Sequence, residues 1–133
     1  MNTPAKPTVL LVDDEPNLLH SLAREWRKQP FVTLTARSAE EAVAVLKAHA
    51  VQLVVTDECM VGMRGSELVT WIAEHYPNVI RIVLTGQPSI PAMQTAINHG
   101  GVFRYFTKPT SAEALATAIL EGLQLPSTST STC

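Results

Sequence analysis

The chain has 133 residues, with 10 Lys and Arg against 12 Asp and Glu, and 46% of its residues are apolar. This composition predicts a single soluble domain and excludes a disordered chain, and a net charge of −2 offers no excess positive field for direct binding to nucleic acid. The apolar stretches fall far short of the roughly 18 residues of a membrane-spanning helix, and the first residues lack the apolar core of a secretory signal, so we expect a cytoplasmic protein without membrane contact.

Five apolar runs of Val, Ile, Leu and Phe predict five β-strands, which begin at Val9, Phe31, Val51, Val79 and Val102. A segment with helical periodicity follows each run, and local signals mark its ends. Ser38 and Glu41 form a capping box at the start of the second helix. Ser111 caps the fifth helix, and Gly100 ends the fourth. The chain is therefore predicted to contain five strand–helix units.

Each predicted helix has an apolar face that we expect to be buried. These faces consist of Leu18, Leu22 and Trp26 in the first helix, Ala42, Val43, Val45 and Leu46 in the second, Leu68, Val69 and Ile72 in the third, Ile90, Met93 and Ile97 in the fourth, and Leu115, Ile119 and Leu123 in the fifth. Almost continuous apolar strands, such as residues 9–12 and 82–84, are typical of a sheet with helices on both faces. The pattern predicts an α/β fold with an open, doubly wound parallel sheet.

Polar and charged residues follow the predicted strands at their carboxyl ends, where open α/β sheets place their ligands. Asp13 and Asp14 follow the first strand, Asp57 the third, Thr85 the fourth and Lys108 the fifth. Three neighbouring carboxylates repel one another unless a cation lies between them. Oxygen ligands without sulfur or imidazole favour Mg²⁺ or Mn²⁺. The pattern predicts a divalent-metal site; the alternative is that Asp13 and Asp14 only cap the following helix.

The same groups are suited to phosphoryl transfer. A metal ion, the Lys108 ammonium and the Thr85 hydroxyl can each interact with one equatorial oxygen of the phosphoryl group while a carboxylate attacks in line. Asp57 is the expected nucleophile, because Ser66 lies beyond the rim of the sheet and Cys59 has no predicted base beside it. A phosphate adds about 1.5 to 2 negative charges, so a nearby hydroxyl gains a hydrogen bond only in the phosphorylated state.

The ordered motifs resemble the receiver domain of two-component response regulators. The motifs are VLLVDDE at 9–15, LVVTDECM at 53–60, Gly65, IVLTG at 82–86 and YFTKP at 105–109, and the likeness extends over residues 8–124. It implies a flavodoxin-like fold with five helices and a five-stranded parallel sheet in the order 2-1-3-4-5. It also implies Mg-dependent transfer of a phosphoryl group from a histidine kinase or phosphotransfer protein onto Asp57. Such a protein assists its own phosphorylation and dephosphorylation and is otherwise not an enzyme.

The resemblance also implies a ligand set for the metal. Asp14, Asp57 and the backbone carbonyl of Cys59 would bind Mg²⁺ or Mn²⁺ directly, and Asp13 would act through water. In the family the next loop commonly contains Met-Pro-x-Met-Asp-Gly, whereas residues 60–65 of this chain are Met-Val-Gly-Met-Arg-Gly. Loss of the proline and gain of a glycine are expected to loosen the loop and weaken metal binding modestly.

A switching role follows from the same likeness. Lys108 would hold the phosphoryl oxygens, and its bond to Pro109 would be cis. Thr85 would turn toward the new phosphate, and Tyr105 would change its burial in step; the alternative is that Tyr105 is an ordinary half-buried aromatic residue. The fourth helix, fifth strand and fifth helix would form the surface that an output domain or a partner protein recognises.

The predicted domain boundaries are a flexible segment at 1–7, the receiver domain at 8–124 and a Ser/Thr-rich linker or disordered tail at 125–133. Two other functions stay open. One is a receiver-like domain that no longer accepts phosphate and acts as a protein-binding module. The other is an aspartyl-phosphate phosphatase, although such enzymes typically have a second acid where this chain has Cys59. The sequence leaves the cognate kinase, the output and homodimer formation undetermined.

Overall fold

Strands and helices alternate through the whole of the computed structural model, which describes residues 6–125. The elements are β1 (Thr8–Val12), α1 (Pro16–Glu25), β2 (Val32–Ala36), α2 (Ala39–Ala48), β3 (Leu53–Asp57), α3 (Gly65–His75), β4 (Ile80–Thr85), α4 (Ile90–Asn98), β5 (Arg104–Thr107) and α5 (Ala112–Gly122). The predicted N-terminal segment and C-terminal tail lie mostly outside the described residues. No helix in the described part of the chain is long and apolar enough to cross a membrane.

The five strands form one parallel sheet in the order β2-β1-β3-β4-β5. This confirms the predicted flavodoxin-like, doubly wound fold. Each strand begins within two residues of the predicted position. The sheet order places β1 and β3 side by side in the middle, so the loops that follow these two strands meet above the centre of the sheet.

Two apolar layers cover the sheet because successive strand residues point to opposite faces. Leu11 packs in the layer that contains α1 and α5, and its neighbour Leu10 packs in the layer that contains α2 and α3. The indole nitrogen of Trp26 donates a 3.0 Å hydrogen bond to the carbonyl oxygen of Ala112, which joins α1 to the start of α5. The carboxyl ends of the strands are thereby held by helices on both sides.

The predicted buried face of α4 is wrong. Ile90 and Ile97 are 67% and 50% exposed, and Met93 is only half-buried. The buried residue of α4 is Ala96, which packs with Val69 and Val83 in a small cluster. Small residues recur along this face, and a Cβ at Gly100 would overlap the Val69 side chain. The close approach of α4 to α3 therefore selects the face with small residues and leaves the isoleucines outside.

The apolar faces of the other helices follow the predictions closely. The predicted core residues of α3 and the residues Leu115 and Ile119 of α5 are buried. Leu18 and Leu123, at the edges of the layer, are half-buried and pack against the same core. The same holds for two residues of the predicted α2 face, which are half-buried against the opposite layer: Val43 and Val45. Four of the five helices are thus oriented as their apolar periodicity predicts.

Candidate functional site

The register of the sheet brings the predicted acidic residues together. Val12 on β1 pairs with Thr56 on β3, so Asp13 and Asp57 follow at the same level. Carboxylate oxygens of Asp13, Asp14 and Asp57 all lie within 4.8 Å of one another. Asp13 and Asp57 are buried, and Asp14 is exposed. The predicted convergence of three carboxylates at one end of the sheet is therefore present, with one of them open to solvent.

Asp57 ends β3 and is only 7% exposed. Its Oδ1 accepts a 3.3 Å hydrogen bond from the amide of Cys59, and its Oδ2 lies 3.4 Å from the Nζ of Lys108. Burial raises the pKa of Asp57 and the charge of Asp13 raises it further, while Lys108 and the Cys59 amide lower it without cancelling the rise. The ionised carboxylate of Asp57 is thus held in a position that disfavours its charge.

Lys108 joins two of the three carboxylates. Its Nζ lies 3.0 Å from Asp13 Oδ2 and 3.4 Å from Asp57 Oδ2. Burial lowers the pKa of Lys108, but the hydrogen bond to Asp13 and the charges of Asp13 and Asp57 outweigh burial and raise it overall. The Lys108 amide donates to the Thr85 carbonyl at 2.8 Å, and the bond to Pro109 is cis, as expected. The ammonium is therefore placed over the acidic cluster and stays protonated.

Thr85 and Tyr105, the two predicted switch residues, lie on neighbouring strands. Thr85 is fully buried at the end of β4, and its hydroxyl oxygen accepts a 3.1 Å hydrogen bond from the Gln87 amide. Tyr105 is half-buried on β5, and its hydroxyl oxygen is buried without a hydrogen-bond partner among the described residues. Burial raises the pKa of Tyr105, with further increases from Glu58, Cys59 and Asp57. The Tyr105 hydroxyl therefore stays protonated beside the site.

An open cavity of about 460 Å³ lies next to the acidic cluster, between the β3–α3 loop and the start of α4. Asp14, Cys59, Arg64 and Gln87 are among the residues that line it. The Cys59 thiol lies 3.8 Å from Gln87 Oε1 across this opening. Solvent and small solutes can thus reach the exposed side of the site.

One buried acidic residue was not among the predicted site residues. Glu58, directly after Asp57, is 2% exposed, and its carboxylate accepts hydrogen bonds from the amide and hydroxyl of Ser66 at 2.7 and 2.9 Å. Ser66, which is predicted to lie beyond the rim of the sheet, donates both of these bonds. No periodic signal links two residues that are eight positions apart across a loop.

The sequence is similar to those of known bacterial regulatory proteins. Residues 9–120 match the response regulator receiver domain family. The chain is 31% identical over 117 residues to the hydrogenase transcriptional regulatory protein HoxA of Cupriavidus necator, covering 88% of this chain and 24% of that protein. It is 37% identical over 116 residues to the transcriptional regulatory protein GlrR of Escherichia coli, covering 87% of this chain and 26% of that protein. The chain thus spans about a quarter of the length of these relatives.

Solved structures give the same result. The signal receiver domain of an HD domain-containing protein from Pseudomonas fluorescens superposes with a TM-score of 0.87 at 33% identity, over 90% of this chain and 95% of that one. A CheY-like response regulator receiver domain from Methanospirillum hungatei superposes with a TM-score of 0.85 at 25% identity, over 89% of this chain and 94% of that one. The chain therefore belongs to the family of receiver domains of two-component response regulators.

Proposed function

We propose that this receiver domain accepts a phosphoryl group on Asp57 from a histidine kinase or phosphotransfer protein. One observation carries the proposal: Lys108 Nζ lies within 3.4 Å of carboxylate oxygens from both Asp13 and Asp57, at the open end of the sheet. A carboxylate is a suitable nucleophile for phosphorus, and a neighbouring ammonium neutralises charge on the transferred group. Neither group is needed at this place for the apolar packing of the sheet.

In the proposed reaction, a carboxylate oxygen of Asp57 forms a bond to phosphorus as the bond between phosphorus and the donor atom breaks. The donor atom keeps the electron pair of the broken bond. Lys108 provides positive charge to the phosphoryl oxygens, and the Cys59 amide orients Asp57 by its 3.3 Å hydrogen bond. In this scheme the domain assists its own phosphorylation and later hydrolysis, without acting on other molecules.

The donor atoms at the site fit Mg²⁺ or Mn²⁺, because they are carboxylate oxygens that can approach one ion. We propose that Asp14, Asp57 and the Cys59 carbonyl hold the ion directly. Asp13, whose oxygens accept hydrogen bonds from Lys108 and the Glu15 amide, is proposed to contact the ion through water. When bound, the ion supplies positive charge that offsets the charge of the phosphoryl oxygens.

The proposed output surface consists of α4, β5 and α5. Thr85 would donate its hydroxyl hydrogen to the phosphate, and Tyr105 would change position in response. The exposed side chains of Ile90 and Ile97 give this surface apolar area that an output domain or partner protein can cover. Because the relatives are named as transcriptional regulators four times as long, we propose that the output lies in another segment or chain of a cytoplasmic signalling system.

The proposal is tested by incubating the protein with acetyl phosphate and Mg²⁺ and measuring its intact mass. We expect a labile phosphoryl adduct on the wild-type protein and none on Asp57→Asn, which keeps the shape of the side chain but loses its nucleophilic charge. A wild-type protein that forms no adduct with acetyl phosphate or any phosphorylated kinase would instead support the protein-binding module.

The metal assignment has a separate test. Asp14→Ala removes one proposed ligand, so adduct formation is expected to lose its dependence on Mg²⁺ concentration. Glu15→Ala is the matched control, because it removes the same charge from the next residue, which lies outside the acidic cluster. A wild-type Mg²⁺ titration in Asp14→Ala would contradict the ligand assignment.

A further inference from the structure

The contact between Glu58 and Ser66 links the end of β3 to the start of α3 across the β3–α3 loop, which spans residues 58–64. Both side chains are buried, at 2% and 5% exposure, and each oxygen of the Glu58 carboxylate accepts one hydrogen bond from Ser66. The Glu58 carbonyl also accepts a 3.1 Å hydrogen bond from the Gly65 amide. Three hydrogen bonds therefore close the loop at its base.

The start of α3 explains why this carboxylate lies there. The N-cap residue is Arg64, whose side chain has no acceptor for the unpaired amides of the first helical turn. The Ser66 amide is one of these amides, and Glu58 satisfies it from outside the helix. The negative charge also lies at the positive end of the helix dipole, which favours it. Glu58 thus replaces the missing cap of α3.

The rest of the loop has little other support. Among the described residues, no amide of residues 60–63 donates a main-chain hydrogen bond. Gly62 adopts a φ of 87° with open space beside its Cα. At the other end, a Cβ at Gly65 would overlap the Asp57 carbonyl oxygen, so the loop must close tightly under the phosphoacceptor. Apart from the 3.3 Å bond of its own amide to Asp57, the position of Cys59 therefore depends on the hydrogen bonds at the base of the loop.

Capping of α3 accounts for the bond from the Ser66 amide to Glu58, but not for the second bond, which comes from the Ser66 hydroxyl. Replacing both members of a buried hydrogen-bonded pair by apolar groups of similar shape is often neutral for stability, because desolvation of the polar groups offsets their interaction. A buried polar pair instead restricts the chain to one arrangement, since an apolar pair has no directional bonds. The restricted segment here contains Cys59, whose carbonyl is a proposed metal ligand.

We infer that Glu58, through its hydrogen bonds to Ser66, is a positioning residue that holds the Cys59 carbonyl toward the metal site. The inference rests on the proposed function, since it concerns the same site. The Glu58–Ser66 contact provides a restriction that residues 60–63, which include Gly62, lack.

The test measures binding of Mn²⁺ alone, by electron paramagnetic resonance of the free ion, together with the thermal unfolding midpoint. The double variant Glu58→Met/Ser66→Ala removes the carboxylate and the hydroxyl and leaves the Ser66 amide without its acceptor. We expect about tenfold weaker Mn²⁺ binding and a lower unfolding midpoint, because the cap of α3 is lost. Glu58→Gln keeps two hydrogen bonds to Ser66, through its carbonyl and amide groups, and is expected to bind Mn²⁺ nearly as the wild type does.

The matched control is Ile72→Val, which removes one buried methylene from the same helix. It is expected to lower the unfolding midpoint without weakening Mn²⁺ binding, so that loss of stability and loss of positioning are separated. Acetyl phosphate labelling of the double variant should be slow at low Mg²⁺ and recover at high Mg²⁺.

Each other outcome contradicts the inference in a distinct way. Wild-type Mn²⁺ binding in the double variant would make Glu58 a purely structural residue. Weak binding in Glu58→Gln as well would show that the charge of Glu58, and not its hydrogen bonds, acts on the metal. If the double variant does not fold, Ser66→Ala replaces it; this variant loses the hydroxyl bond and keeps the amide bond to Glu58, and unchanged Mn²⁺ binding there would contradict a positioning role for the hydroxyl bond. A wild-type protein that binds no Mn²⁺ and forms no adduct would contradict the proposed function itself.

Discussion

The helices α4 and α5 follow consecutive strands and have similar lengths, yet they are anchored very differently. The buried residues of α5 are Leu115, Ala116, Ala118, Ile119 and Leu120, whereas α4 buries only Ala96. The Trp26 indole additionally bonds to the first turn of α5. A helix with few buried apolar contacts shifts or unfolds locally at a low free-energy cost. Within the proposed output surface, α4 therefore shifts or unfolds at a lower free-energy cost than α5.

The position of α4 makes this difference relevant to signalling. Its N-cap residue, Ser89, lines the cavity beside the site, and it is separated from Thr85 by only three residues. A change in the hydrogen bonds of Thr85 can therefore move the start of the less anchored helix, while α5 stays in place. We expect phosphorylation to change amide hydrogen exchange in α4 more than in α5.

The largest expected effect tests the difference in anchoring directly. Ile119→Ala in α5 should lower the free energy of unfolding by about 2 to 5 kcal/mol, because it leaves a cavity in the core. Ile97→Ala in α4 should change it by no more than about 0.5 kcal/mol, because the side chain is half-exposed. Urea denaturation measures both values. Equal losses in the two variants would show that α4 is anchored as firmly as α5.

A somewhat smaller effect is expected at the ammonium that links the carboxylates. Lys108→Ala should slow adduct formation with acetyl phosphate by about 100-fold, which is the effect of losing a donor to a developing charge in enzymes. The exchange of α4 amides should then no longer change on phosphorylation. Lys47→Ala, at the exposed end of α2, serves as the control for loss of a positive charge. A Lys108→Ala protein that phosphorylates and responds normally would refute the role of this residue.

Substitution of Thr85 should separate phosphorylation from the response of α4, which is the change in its amide hydrogen exchange. Thr85→Ala should still form the adduct, but the α4 response should weaken by about 1.5 to 3 kcal/mol, which is the value of a hydrogen bond to a charged group. Thr85→Ser keeps the hydroxyl and should restore the response. Amide exchange with and without acetyl phosphate measures it. A full response in Thr85→Ala would mean that α4 is coupled to the site by another contact.

The smallest effect is expected from the charge of Asp57 in the metal-free protein. It changes the stability through the electrostatics of the site and does not involve the packing of α4. The pKa of Asp57 in the folded protein lies above its ordinary value of 3.8, mainly because of burial. Folded protein thus binds this proton more tightly than unfolded protein, so stability falls as the pH rises through the folded pKa. Asp57→Asn should therefore raise the unfolding midpoint at pH 7, and the gain should vanish in acid below 3.8. A midpoint that is lower in Asp57→Asn at pH 7 would contradict this account.

Most of the fold was predictable because the relevant signals are local. Short apolar runs, each followed by a segment with helical periodicity, define the five strand–helix units. The carboxyl ends of parallel strands lie at one edge of the sheet, so Asp13, Asp57 and Lys108 could be predicted to lie together. The face of α4 could not, because its isoleucines and its small residues recur at similar spacings. The choice between the two faces depends on how closely α3 approaches α4, and the sequence of α4 alone does not determine that distance.

By itself, the sequence determined the order of the elements, the edge of the sheet that carries the chemistry and the types of group that meet there. These properties depend on short-range periodicity and on a general rule for parallel sheets. Only the tertiary structure decided that one ammonium bridges two carboxylates, that Glu58 closes the loop onto Ser66, and which side of α4 faces solvent. Lys108 and Asp13 are 95 positions apart, and such contacts depend on how the entire chain closes on itself.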